Sequence, residues 1–441
     1  MATPSSAPLD IYYLTFNTAR TPIDPSILAS DFFSALPSTT LLPAIIAISI
    51  QEIAPLAPAF LGRALLTPYF DAFTQCVALA TEGRLRAHQT PVEADEYSLL
   101  LARHVGMTGL MVFIRAGVDV AWVQTAGAGC GVWQTGNKGA VGARLGVKMD
   151  RGIEEVTLVA AHLAPHEFAI ERRREDWERI VRNLGFVYDT TLGGAGNADP
   201  ASNENEDDDD TTALLNTMKP MSRSSKPKGL YDTAGPIFFG GDLNYRTSSS
   251  RPMPGDIENF PQPTNDTNSP HHLSKLLARD QLMQQRSDGV VLQSFAEQAI
   301  TFAPTYKYAH SAVGPITTAS TDDPDGHWFW ATHRFPSWCD RILYTQARSV
   351  QVHTYNALPI QATSDHRPVA LAVSVSAGGK DVLEAPYPLN PRFAEERAWA
   401  ARRELVVGVV MFLATTREGQ TILVGSVVGG LASWFFLRAL V

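Results

Sequence analysis

Short β-branched or apolar runs recur along the chain at residues 11–16, 44–50, 110–114, 120–125, 156–161, 237–239 and 369–375, and several of them end on a polar cluster. Their length and composition suit strands buried in a sheet core. Helix-like segments lie between them, notably 167–184, where Phe168, Trp177, Ile180, Val181 and Leu184 recur in a helical period among Arg and Glu. The pattern predicts a mixed α/β fold of packed sheets with outer helices.

Two stretches depart from it. Residues 193–229 are rich in Gly, Asn, Ser and Lys and carry an acidic run from 204 to 210, the composition of a disordered insertion in a surface loop. Residues 251–270 are rich in Pro and Asn and read as a long irregular loop. The organisation expected is a catalytic domain over 1–380, a linker over 381–404 and a hydrophobic tail over 405–441.

That tail contains only three charges, Arg417, Glu418 and Arg438. As a helix, 419–437 would extend roughly 28 Å, close to the thickness of a bilayer core. A buried core helix is the competing reading. The position after a Pro-rich linker and a charged stretch, with Arg402 and Arg403 as a basic flank, favours a tail anchor whose catalytic part faces the cytosol. Residues 405–416 are too short to span alone, and lie either at the interface or as an extension of a tilted helix. The weakly basic C-terminal flank, with Arg438 alone, points to the endoplasmic reticulum.

Composition narrows the classes. A hydrophobic fraction of 45% with 18% charged residues belongs to a folded chain. The net charge of −9 and the lack of a long basic block argue against nucleic acid as a partner. Cys76, Cys130 and Cys339 are widely spaced with no CxxC pair, which fits neither a disulfide framework nor a zinc site. A monomer is expected.

Chemistry concentrates at the ends of the apolar runs. In Gly241-Asp-Leu-Asn-Tyr-Arg246 the residues Asp242 and Asn244 follow a strand at i and i+2, a spacing that puts both on one side of an extended chain. Asp365 and His366 adjoin just before the last strand, and Asp340 upstream could pair with the imidazole and favour its protonated form. Asn17 follows the first strand and Glu52 the second, oxygen ligands that suit a hard cation such as Mg²⁺. His162 follows the strand at 156–161 and could reach the same mouth of the sheet.

The ordered set from about residue 11 to 376 resembles the inositol-polyphosphate 5-phosphatase family, within the metal-dependent phosphoesterases that include deoxyribonuclease I and exonuclease III-type AP endonucleases. Gly241-Asp-Leu-Asn-Tyr-Arg246 and Pro336-Ser-Trp-Cys-Asp-Arg341 carry the resemblance, with Gly136-Asn-Lys-Gly-Ala-Val141 and Pro304-Thr-Tyr-Lys-Tyr308 beside them. It implies a four-layered α/β/β/α sandwich of deoxyribonuclease I type. It also implies Mg²⁺-dependent hydrolysis of the 5-phosphate of phosphatidylinositol 4,5-bisphosphate, by direct attack of water.

By the same resemblance Glu52 and Asn17 hold Mg²⁺, Asp242 orients or deprotonates the water, and Asn244 steadies the transition state. His366 (paired with Asp340) and His162 contact the scissile phosphate, with Asp365 near the metal. Asn137, Lys138, Tyr245, Arg246 and Arg341 belong to the substrate pocket, where Tyr306 and Lys307 grip the 4-phosphate. Competing readings are a nuclease with the same residues and an inactive membrane scaffold.

Overall fold

The computed structural model describes residues 8–91, 96–150, 152–189, 226–309, 327–346, 349–377 and 383–439. In chain order the strands are β1 (Leu9–Asn17), β2 (Ile45–Gln51), β3 (Tyr97–Val105), β4 (Thr108–Arg115), β5 (Val120–Gly129), β6 (Gly139–Met149), β7 (Gly152–His162), β8 (Val187–Tyr188), β9 (Ile237–Asp242), β10 (Phe295–Ala296), β11 (Asp340–Thr345), β12 (Val350–Ala357) and β13 (Val369–Val375). They form two mixed sheets. One has the order β12-β13-β1-β2-β4-β3, the other β10-β11-β9-β7-β6-β5-β8, and the parallel pairs are β1/β2 and β7/β9.

Alternation along the strands builds the layers, because successive side chains point to opposite faces. On β1, Leu9, Ile11 and Tyr13 enter the core between the sheets, whereas Tyr12, Leu14 and Phe16 face outward. That outer face is covered by α1 (Pro25–Asp31) and α3 (Thr67–Ala87), with the shorter α2 (Leu56–Leu61) between them in sequence. On β7, Val156, Leu158 and Ala160 meet the same central core, and Val159 and Ala161 pack outward against Trp177, Ile180 and Val181 of α4 (Ile170–Asn183). The short helix α7 (Gln281–Ser287) adds Leu282 to this side, while α5 (Pro254–Ile257) and α6 (Ser274–Leu277) pack Ile257 and Leu276 on a separate cluster around Phe260 and Trp330. The result is the expected four-layered sandwich.

The seven apolar runs all fall on strands. β3, β6, β11 and β12, and the two-residue β8 and β10, escaped the sequence reading. β3 is an edge strand of mixed polarity, and β6 (Gly-Ala-Val-Gly-Ala-Arg-Leu-Gly-Val-Lys-Met) is interrupted by glycines. Most of the expected acidic insertion lies outside the described residues. The loop at 251–270 is irregular apart from α5.

Two helices end the chain, α8 (Phe393–Thr415) and α9 (Arg417–Ala439). α8 runs through the expected boundary at 404/405. Its buried Ala400, Glu404 and Gly408 face the domain, and a Cβ on Gly408 would meet Leu61 and Phe60 at 3.1 Å. Residues 393–415 thus form one helix that docks through Ala400, Glu404 and Gly408, while Leu405, Val406, Val409 and Val410 of its apolar half are exposed. α9 differs: it is long and apolar enough to cross a membrane, with a mean hydropathy of 1.6 and none of its apolar window buried.

Candidate active site

Strand register creates the site. His162, Asp242 and Asp340 stand side by side at one end of their sheet, as His162 pairs with Asp242 and Asp242 with Asp340 across β7, β9 and β11. In the facing sheet Asn17 pairs with Gln51 at the ends of β1 and β2, and Glu52 follows at once. The segment 363–368 enters β13, whose Val369 pairs with Thr15. Close approach of the sheets needs Gly240, where a Cβ would come within 2.7 Å of the Tyr13 ring.

Asp242 lies at the centre. Its Oδ2 accepts from Asn17 Nδ2 at 2.9 Å and lies 3.4 Å from His162 Nε2 and 4.0 Å from His366 Nε2. Its Oδ1 accepts the Asn244 backbone N–H at 3.0 Å. Burial would raise this carboxyl, but the His366 charge, the His162 hydrogen bond and Lys138 hold it well below the usual carboxylate range. The expected i, i+2 extended spacing is corrected here. Asn244 sits at φ 56° in a side-chain-capped turn, its Nδ2 donates to Leu163 O at 3.1 Å, and its Oδ1 accepts from Arg246. Asn244 therefore fixes Arg246, whose guanidinium lies 4.5 Å from the Tyr306 ring centre.

Two histidines flank Asp242 in opposite electrostatic settings. His366 Nδ1 lies 2.8 Å from Asp340 Oδ2, and its ring packs 4.5 Å from that of Tyr306. Burial would push the imidazole down, but Asp340 and Asp242 more than reverse this and hold it up at about 9. Asp340 is itself steadied by Thr305 Oγ1 at 2.7 Å, a residue that motif reading passed over. His162 is pushed down, by burial and by Lys138, whose Nζ lies 2.6 Å from His162 Nε2. Asp365 turns to Lys307 in an ion pair.

Glu52 sits at φ 48°, with its carboxylate 3.1 Å from Arg20 Nε and 3.9 Å from Lys138 Nζ. Contacts thus run from Glu52 through Lys138 and His162 to Asp242 and on to His366, gathering five distant stretches at one mouth. The donors suit a hard cation: the Glu52 carboxylate is a quarter exposed, and Asn17 adds an amide oxygen that accepts from Ala19 N at 3.0 Å. Asp242, Asp340 and His366 also lie close enough together to form a candidate metal cluster.

Two expected pocket residues do not face this mouth. Arg341 is fully buried, paired to Asp280 at 3.0 Å and to Glu297 at 2.6 Å. Tyr245 is also buried, with its hydroxyl on Gln285 Oε1 at 3.2 Å and its ring against Arg173. Asn137 stays beside Lys138, its Oδ1 accepting from Thr135 Oγ1 at 3.2 Å.

The profile of endonuclease/exonuclease/phosphatase family 2 matches residues 14–372, which contain every residue of this mouth. The chain belongs to that family. Among its relatives, type II inositol polyphosphate 5-phosphatase 14 of Arabidopsis thaliana is 28% identical over 298 residues, covering 63% of this chain and 23% of that protein. Polyphosphatidylinositol phosphatase INP53 of Saccharomyces cerevisiae is 27% identical over 286 residues, covering 63% and 20%. The chain thus spans about a quarter or less of the length of the curated relatives it matches. A solved structure, the inositol polyphosphate 5-phosphatase domain of SPsynaptojanin in complex with inositol (1,4)-bisphosphate and calcium ion, superposes with a TM-score of 0.56 at 21% identity over 90% of each chain. At that identity the likeness establishes the fold.

Proposed function

We propose that the chain is a Mg²⁺-dependent phosphatase that removes the 5-phosphate of phosphatidylinositol 4,5-bisphosphate at an intracellular membrane. The observation that carries this is the buried Asp242 flanked by a charged His366–Asp340 pair and a Lys138–His162 pair, with the Tyr306–Lys307 segment beside it. The two six-residue motifs and the names of the relatives support an inositol substrate.

Glu52 and Asn17 would hold Mg²⁺, which when bound would supply positive charge to the phosphoryl oxygens. The chain's own groups do the rest. Asp242, held ionised, has weak proton affinity, which suits orienting a water for in-line attack better than fully taking its proton. His366 as imidazolium donates to a phosphoryl oxygen, and Asp340 keeps its proton in place. Lys138 adds a second cationic donor, and Arg246 and Lys307 offer charge to the neighbouring ring phosphate. No covalent enzyme intermediate is needed, and Cys339, buried with its thiol pushed up by desolvation, is unsuited to nucleophilic attack.

The exposed apolar α9 supports a membrane-held enzyme with its catalytic part in the cytosol, and the endoplasmic reticulum is the proposed membrane. Tethering raises the effective concentration of a lipid substrate. The test is phosphate release from a panel of inositol lipids and soluble head groups, with Mg²⁺ or with EDTA. Mg²⁺-dependent release confined to 5-phosphorylated members supports the reading. Release that ignores the 5-position, or persists in EDTA, removes it.

A further inference from the structure

We infer that Glu404 of α8 is a positioning residue for the substrate pocket, acting through the backbone of the 131–138 loop. The inference rests on the phosphatase reading for its effect on turnover, and on geometry alone for the latch.

That loop ends in Asn137 and Lys138, and Lys138 touches both His162 and Glu52. Two different structures hold it. On one side the β3–β4 turn grips it: Gly136 O accepts from Met107 N at 2.8 Å, and a Cβ on Gly136 would come within 2.6 Å of Gly106 N. On the other side stands α8. Glu404 Oε1 accepts the Gly136 N–H at 2.7 Å, and both carboxylate oxygens are gripped by Arg397 at 2.7 Å. Glu404 is 4% exposed.

Two further contacts follow the same helix face. Gln134 Nε2 donates to Glu396 at 3.1 Å, and Arg403 donates to Trp133 O at 3.0 Å. Trp133 and Gln134 both have positive φ, of 55° and 63°, conformations that a non-glycine residue keeps only when its surroundings impose them. Asn137 Oδ1 fits where a Cβ on Gly131 would stand only 1.6 Å from it, so the loop has little room to shift without moving Asn137.

A buried carboxylate that accepts a backbone N–H fixes that peptide plane more firmly than a neutral acceptor would. Without it, the Gly136 N–H is left unpaired under α8, and the 135–136 peptide keeps only the Gly131 N–H on Thr135 O at 2.9 Å to hold its plane. Lys138 then loses its alignment on His162 and Glu52. Substrate binding suffers more than the chemical step, because Asp242, His366 and Asp340 stand on other elements.

The experiment uses the full chain in detergent micelles and a water-soluble inositol trisphosphate carrying a 5-phosphate. Glu404→Ala is expected to raise KM about tenfold with kcat within about twofold, and to speed amide exchange of peptides within 131–138 by about tenfold. Glu404→Gln keeps an acceptor for Gly136 and should restore KM to within about twofold while weakening the hold of Arg397. Unchanged exchange at 131–138 in Glu404→Ala overturns the latch whatever the activity. An unchanged KM alongside faster local exchange overturns the positioning role. Equal losses in both variants, with exchange raised across the whole chain, reduce Glu404 to a general stabiliser and also overturn it. Absence of phosphate release from the unaltered chain overturns instead the phosphatase reading on which the effect on turnover rests.

Discussion

The two sides of the mouth are built alike and charged differently. His366 and His162 are both fully buried within 4.0 Å of the same Asp242 oxygen, yet one is held protonated and the other neutral. Burial pushes both down, so the difference comes from the neighbours. Asp340 stands behind His366, and Lys138 stands in front of His162. The imidazolium of His366 and the Lys138 ammonium thus reach Asp242 from opposite sides, one directly and one through His162.

The largest effect should come from the residue the two sides share. Asp242→Ala is expected to lower kcat by about a thousandfold with the fold retained, read by phosphate release and circular dichroism. Next is a residue adjoining the His366 side that faces the other way: Arg341→Met leaves Asp280 buried without its cation and Glu297 with Arg286 and the Tyr355 hydroxyl alone, and should cost about 3–5 kcal/mol, seen as a large drop in Tm. Asp340→Asn removes what keeps His366 charged and should cost about a hundredfold in kcat at pH 7.

The pH profile sharpens the comparison further. His366 is raised from the ordinary 6.5 to about 9 in the fold, so the stability it contributes is complete below about 6.5 and is lost as pH rises through about 9. Activity should fall over the same upper limb, and Asp340→Asn should move that limb to lower pH. A limb that stays in place would break the assignment. The smallest effect should be that of removing residues 417–441: turnover of soluble substrate stays within about twofold, while the protein leaves the membrane fraction.

The sequence made some of this legible through simple rules. Continuous apolar runs placed seven of the strands, and the polar ends of β1, β2, β7 and β9 announced Asn17, Glu52, His162 and Asp242 before any packing was known. Side-chain alternation, applied to β11, would have removed Arg341. Asp340 and Arg341 are consecutive on β11, so if one enters the mouth the other must leave it. Tyr245 was misplaced by its motif for a related reason, since the turn at Asn244 swings it into the outer core. Thr305 stood inside a quoted motif without a role and Arg20 outside any motif, because what they do depends on chain segments that meet only in the fold. The tail was half legible. Apolar content alone does not separate α8 from α9. What separates them is Glu404, Arg397 and Arg403, whose partners lie more than two hundred residues away or along the same helix face.

The most direct measurement is the identity of the lipid product when the full chain acts on vesicles containing phosphatidylinositol 4,5-bisphosphate in Mg²⁺. The site described here should yield phosphatidylinositol 4-phosphate and inorganic phosphate in equal amounts. Formation of phosphatidylinositol 5-phosphate, or no phosphate at all from a folded chain, would contradict it.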